Sequence, residues 1–153
     1  AMQMTGKLSA KKIPNGGVEI DLGVISNNCV TDAGVAYLVD SFQDSSSGTG
    51  DPMDLFYWHG YGTSSGAETT GDTALTTEIG TRSSGTQIEG ATANIYRTVA
   101  TRTATGTHAI KEHGLFSSSD SDTLWDRSVF DVINVSSGDS IEFTYELTVT
   151  PGG

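Results

Sequence analysis

The chain has 153 residues and a mass of 16.0 kDa, enough for one compact domain and too little for two of ordinary size. Hydrophobic residues make up 35% and charged residues 18%, below the roughly 45–50% and about 25% of an average soluble domain. In their place stand 18 Ser, 21 Thr and 19 Gly, and the net charge is −11; the first disfavours a helical bundle and the second excludes a simple phosphate-neutralising nucleic-acid binder.

No apolar run approaches the roughly 20 residues that cross a bilayer as a helix; Val35-Ala36-Tyr37-Leu38-Val39 is about the longest. The first residues hold no apolar stretch of a secretory signal, and Cys29 is the only cysteine. The expectation is a domain that matures in a reducing compartment or stands up without cross-links, and that binds neither membrane nor nucleic acid.

Residues 1–17 show little periodicity, hold three of the four lysines and end in the turn signal Pro14-Asn15-Gly16-Gly17. They read as an extended N-terminal arm, mobile when free, ahead of a β-domain at 18–153. Lys7, Lys11 and Lys12 would then be the charges that dock this arm on an acidic groove of a partner. Val18-Glu19-Ile20-Asp21-Leu22 alternates as a half-buried strand does.

Residues 31–42 are the one helical candidate. Thr31 can cap, Asp32 suits the first turn, and Val35, Leu38, Val39 and Phe42 share a face. Residues 43–52 are a loop by composition. Residues 55–59 form an aromatic strand with Phe56 and Trp58 inward, and residues 60–66 a loop after it. Strand-like pieces follow at 75–81, 87–89 and 95–103. The segments 108–116 and 123–130 bracket a short polar turn and predict a hairpin.

The last segment is the clearest. Ile141, Phe143, Tyr145, Leu147 and Val149 alternate strictly with polar residues, so one face is buried and one is in water. About eight strands and one early helix predict a single-domain antiparallel β-sandwich of jelly-roll type, all-β in class.

Chemistry is sparse in the pattern. His108 and His113 lie five apart, on opposite faces of a straight strand, and His59 sits within the aromatic strand, so no metal or other cofactor is expected. Asp51, Asp54, Asp120 and Asp122 lack the spacing of a calcium loop. Gly62-Thr63-Ser64-Ser65-Gly66 matches the short nucleophile pattern, but no amphipathic helix follows it. Glu78, Glu89 and Glu112 cannot be told apart as acid or base among so many carboxylates, and the expectation is a non-enzyme. Tyr57, Trp58, Tyr61 and Trp125 are the aromatic side chains that could stack on a sugar ring, with core packing as the alternative use.

Several stretches resemble a group of small structural proteins of tailed bacteriophages. They are Phe56-Tyr57-Trp58-His59-Gly60-Tyr61-Gly62, Gly71-Asp72-Thr73-Ala74-Leu75 with Thr77-Glu78, and Tyr96-Arg97-Thr98-Val99-Ala100-Thr101. Glu112-His113-Gly114-Leu115-Phe116, Leu124-Trp125-Asp126-Arg127-Ser128-Val129-Phe130 and Gly138-Asp139-Ser140-Ile141-Glu142-Phe143-Thr144-Tyr145 complete the set. The resemblance covers about residues 54–150. It implies a virion component assembled in the host bacterial cytoplasm and carries no catalytic residue over. The first expectation is a capsid decoration (cement) protein bound to the major capsid protein or another virion protein, a homotrimer by the symmetry of its sites. The alternative is a tail- or head-fibre adhesion module that grips a host surface glycan through its aromatics.

Overall fold

The alternating C-terminal segment lies at the centre of one half of the molecule. A computed structural model describes residues 1–43, 53–120 and 123–152. Among them are nine strands: β1 (Gln3–Ile13), β2 (Ile20–Val30), β3 (Trp58–Gly62), β4 (Ser83–Ser84), β5 (Ile88–Glu89), β6 (Ile95–Thr103), β7 (His108–Phe116), β8 (Leu124–Val135) and β9 (Ser140–Thr150). One helix, α1 (Asp32–Ser41), and a single 3-10 turn at Met53–Leu55 complete the described elements. The fold is all-β and every strand pair is antiparallel.

The strands follow the order β4-β3-β7-β8-β2-β1-β9-β6-β5. The two end strands, β4 and β5, are the halves of one segment. Ser83 and Ser84 pair with β3, whereas Ile88 and Glu89 pair with β6. Between them the Gly85 amide donates to the Tyr57 carbonyl at 2.7 Å and the Thr86 amide to the Val99 carbonyl at 2.9 Å. The sheet therefore curls until its edges meet on this segment, which protects both from further pairing.

The inner faces of the two halves share one core. Leu8 and Ala10 from β1 and Ile141, Phe143, Tyr145 and Leu147 from β9 meet Ile110, Leu115, Trp125, Phe130 and Ile133 from the opposite half. Burying a side chain of this kind contributes about 1.5–3 kcal/mol. The alternation at 141–149 is thus the inward stripe that the pattern predicted, and β6, β7 and the β7–β8 hairpin also form where expected.

The N-terminal segment is extended, but it is no mobile arm. β1 pairs along its length with β9 from Gln3–Thr150 to Ile13–Ser140, and on its other side with β2. Leu8 is completely buried. Its inward positions, Leu8 and Ala10, carry small or apolar side chains between lysines, a two-residue alternation that the lysines mask in composition. Residues 75–81 form no strand beyond one bridge from Glu78 to Gly62. The aromatic strand begins later than expected, at Trp58, and runs through Gly60 to Gly62.

Helix α1 forms where predicted, with Thr31 as its cap: the Gly34 amide donates to Thr31 Oγ1 at 2.9 Å. Its orientation is one residue out of phase with the expected face. Gly34 and Tyr37 are buried and Leu38 packs on the core, whereas Val35, Val39 and Phe42 are exposed. The Thr31 amide donates to the Trp125 carbonyl and its hydroxyl to the Leu124 carbonyl. These bonds pin the first turn onto β8 and fix the rotation before hydrophobicity can. Tyr37 then meets Phe56 edge-on at 4.7 Å between ring centroids, and Phe56 meets Trp125 at 5.2 Å.

Gly34 allows this approach. A Cβ there would lie 2.8 Å from the Trp125 carbonyl oxygen and 3.0 Å from its Cα. Gly34→Ala is expected to lower stability by about 1–3 kcal/mol through overpacking, despite a gain of about 1 kcal/mol in helix propensity. Thermal melting of the variant checks this; a higher melting temperature would mean that the helix shifts freely.

Candidate functional site

The sequence-predicted residues do not converge on one site. Lys7 Nζ lies 3.0 Å from Glu146, directly opposite on β9, and Arg97 on β6 reaches the same carboxylate at 3.1 Å. Burial pushes the Glu146 carboxyl up, but hydrogen bonds from Lys7 and Arg97 outweigh it and hold the value down. Lys11 pairs with Glu19 at 3.2 Å. Lys12 stands opposite Ile20 and Ile141 in the sheet. The lysines of the expected docking arm are therefore fixed on a central strand, where two of them neutralise the sheet's own carboxylates.

The four aromatics of the glycan reading separate as well. Tyr61 and Trp125 are core residues, 3% and 2% exposed. Trp125 Nε1 donates to the Tyr145 hydroxyl at 2.9 Å, so its polar edge is also satisfied inside. A bulge in β8 opposite Leu115 and Phe116 displaces Trp125 from simple alternation. Tyr57 and Trp58 remain half-exposed and stack at 5.3 Å.

A buried ionic clasp joins three of the motifs. Arg127 donates through Nε and Nη2 to Glu112 Oε2 at 3.0 and 2.9 Å, and through Nη1 to Asp72 at 2.9 Å. Glu112 also accepts the amides of Thr76 at 3.1 Å and Thr77 at 2.8 Å. Arg127 reaches the Gly66 and Ala67 carbonyls. Residues 63–77 are thereby tied down over the outer face of β7 and β8, with Leu75 packed on Phe116 and Leu124 below them. Burial pushes Asp72 up, but the Thr69 amide and Arg127 hold its carboxyl below the usual range.

This clasp uses residues that looked like chemistry. Glu112 is a structural anchor. Ser64 lies in the same loop, where its hydroxyl accepts from the Gly66 amide and no elbow forms. Glu78 pairs with Arg82, whose guanidinium lies 3.3 Å from the Phe116 ring centroid.

Inside the core, His59 and His113 form a pair that sequence spacing does not reveal. His59 Nδ1 and His113 Nε2 share a hydrogen bond of 2.9 Å, and His59 Nε2 lies 3.0 Å from Thr98 Oγ1. Both rings are fully buried; burial drives His59 down to about 3 and His113 well below its ordinary value. Nearby Asp126 and Tyr145 form a second buried polar contact, in which burial pushes both groups well up.

Among the described residues no group of three or more His, Cys, Asp or Glu side chains is placed to hold a metal ion. Asp51 and Asp122 lie outside the described residues, Asp54 accepts from Gln87 through its carbonyl, and Asp120 accepts from Ser118. No family model, curated protein or solved structure matches the chain. Its own surface is the guide.

Two apolar features stand out on that surface. One is the outward stripe of α1: Val35 is 43%, Val39 57% and Phe42 81% exposed. The other lies along β2 and the facing part of β8, where Ile20, Leu22, Val24 and Val132 are exposed; the alternation at 18–22 implied a buried face, but Val18, Ile20 and Leu22 are all exposed. Among the described residues no helix is long and apolar enough to cross a membrane. These are exposed apolar groups on a molecule whose net charge is −11.

Proposed function

We propose that the chain is a structural protein of a bacteriophage particle, a decoration protein that binds the outer head surface against the major capsid protein. The observation that carries this reading is the stripe of Val35, Val39 and Phe42 on a helix clamped to the core through Thr31, Gly34 and Tyr37. A rigid helix that presents apolar residues at i, i+4 and i+7 outward is suited to a groove on a partner. The resemblance of these stretches to small phage structural proteins is what suggests the class, and the curled sheet and the buried clasp suit a particle that must persist without disulfides. Three-fold placement on the shell makes a homotrimer the expected assembly, with many modest contacts adding up by multivalency.

The stacked, half-exposed Tyr57 and Trp58 favour one second reading, a fibre module that adheres to a host glycan. Quantitative mass spectrometry of purified particles separates the two. A copy number at a fixed large fraction of the major shell protein is expected, with Val39→Asp/Phe42→Asp lost from particles and Trp58→Ala retained. A handful of copies per particle, with Trp58→Ala failing in cell attachment, would overturn the decoration reading in favour of the fibre.

A further inference from the structure

The curled sheet is incompletely joined at one place. β2 and β8 pair only at Cys29–Arg127 and Val30–Asp126. Among the described residues, 20–26 and 128–135 make no backbone pairing with each other, although each is paired on its other side, to β1 and to β7. Two free strand edges therefore face one another across a gap.

The local sequence explains the divergence. The register of β2 against β1 skips Leu22 between Asp21 and Gly23, and Ile25 between Val24 and Ser26. Gly23 adopts φ +64°, a conformation that glycine takes without a Cβ clash. Such bulges bend a strand and increase its twist, and here they turn β2 away from β8. The groove left between the strands has a volume of about 290 Å³ and is lined by Leu22, Val24, Ile25, Asp131, Val132 and Ile133.

We propose that this seam accepts an extended segment of another protein as an added strand between β2 and β8, with apolar side chains at alternate positions and lysine or arginine between them. Unpaired backbone groups on both walls call for a third strand that satisfies them, the β-augmentation mode of recognition. Ile25 and Ile133 form an apolar floor for the inward side chains, and the exposed Leu22, Val24 and Val132 flank it. Asp131 in the groove, Asp21 beside it and a net charge of −11 select a basic strand. A second copy is the wrong occupant by the same rule. It brings the same carboxylates, and its Lys7 and Lys11 are already paired with Glu146 and Glu19. The seam goes beyond the decoration reading, because its chemistry holds whatever particle or assembly the chain belongs to.

The test titrates the intact chain with a synthetic peptide that alternates valine and lysine and is long enough to span β2. A peptide with glutamate in place of lysine is the control. Backbone amides of residues 20–26 and 128–135 are expected to shift in NMR spectra and gain protection from exchange with the lysine peptide alone. Leu22→Lys/Val132→Lys replaces exposed side chains, so the melting temperature should hold, while the lost apolar flanks and the added positive charge weaken binding of the lysine peptide about tenfold or more. Equal response to both peptides, or binding that survives the double variant, would overturn the proposal. So would a dimer of the free chain in sedimentation that Leu22→Glu dissolves, since the seam would then belong to a second copy.

Discussion

Replacing Glu112 by leucine is expected to destabilise the domain by about 3–5 kcal/mol, the cost of removing one partner from a buried ion pair. The substitution leaves the Arg127 guanidinium, itself only 2% exposed, with Asp72 as its remaining counter-charge. It also leaves the part-buried Thr76 and Thr77 amides without their acceptor, which adds to the loss. Arg127→Met removes the charge from the other side but keeps both amides bonded to Glu112. It should therefore cost less than Glu112→Leu. Urea unfolding gives the ranking, and hydrogen exchange at residues 64–77 reports the loop directly. If both variants keep wild-type stability and loop protection, the loop is held by Leu75, Phe116 and the Glu78–Arg82 pair instead.

The clasp shows why part of the molecule was legible in the sequence and part was not. β6, β7, β8 and β9 were readable because one face of each meets a shared core, and burial imposes a two-residue period that composition cannot hide. β1 obeys the same rule through Leu8 and Ala10, but lysines at the alternate positions gave it the look of a tether. Their charge describes the outer face, where Glu142 and Glu146 stand opposite Lys11 and Lys7. The sheet register, which local patterns do not contain, decides that use.

Bulges account for most of the remaining differences. A register shift between Ile110 and Glu112 lets His113 turn to the core while Glu112 faces the covering loop. Simple alternation from His108 predicts no such pair, and no spacing rule joins His59 to His113 across 54 positions. Helix α1 fails differently. Its apolar periodicity is real, but hydrogen bonds from Thr31 to β8 and the close approach of Gly34 set its rotation. The hydrophobic stripe is thereby left exposed. A helix read alone gives the stripe and not the side it faces.

The histidine pair carries the second large expectation, a loss of stability in mild acid. In the unfolded chain each imidazole titrates near 6.5, whereas burial drives His59 to about 3 in the fold and His113 well down too. Burial sets the direction for both rings, and the shared bond opposes protonation of the accepting one as well. One nitrogen must donate and the other accept, so a proton added to the accepting ring breaks the bond and leaves a charge in the core. If His113 Nε2 donates, His59 Nε2–H can donate in turn to Thr98, and only the unpartnered His113 Nδ1 remains as a bare acceptor. Both groups have depressed folded values, so the unfolded state binds more protons below 6.5. Stability is then full above pH 6.5 and falls as the pH drops toward 3.

For His59 alone the whole interval amounts to something on the order of 5 kcal/mol, a large share of the roughly 5–15 kcal/mol that stabilises a domain. Asp126 acts in the opposite sense: its raised folded value means that acid relieves a penalty present above the ordinary carboxylate range. Two depressed imidazoles outweigh one raised carboxyl, so the net effect remains a loss of stability as the pH falls below 6.5. Below that range Asp72 and Glu146, whose carboxyls are held down in the fold, add to the loss. Urea midpoints measured at pH 7, 6, 5 and 4 should fall steadily in the wild type. They should fall much less in His59→Leu/His113→Leu, whatever its stability at pH 7, because the two buried titrating groups are gone. Parallel curves would assign the acid sensitivity to surface carboxylates and take the histidine pair out of the account.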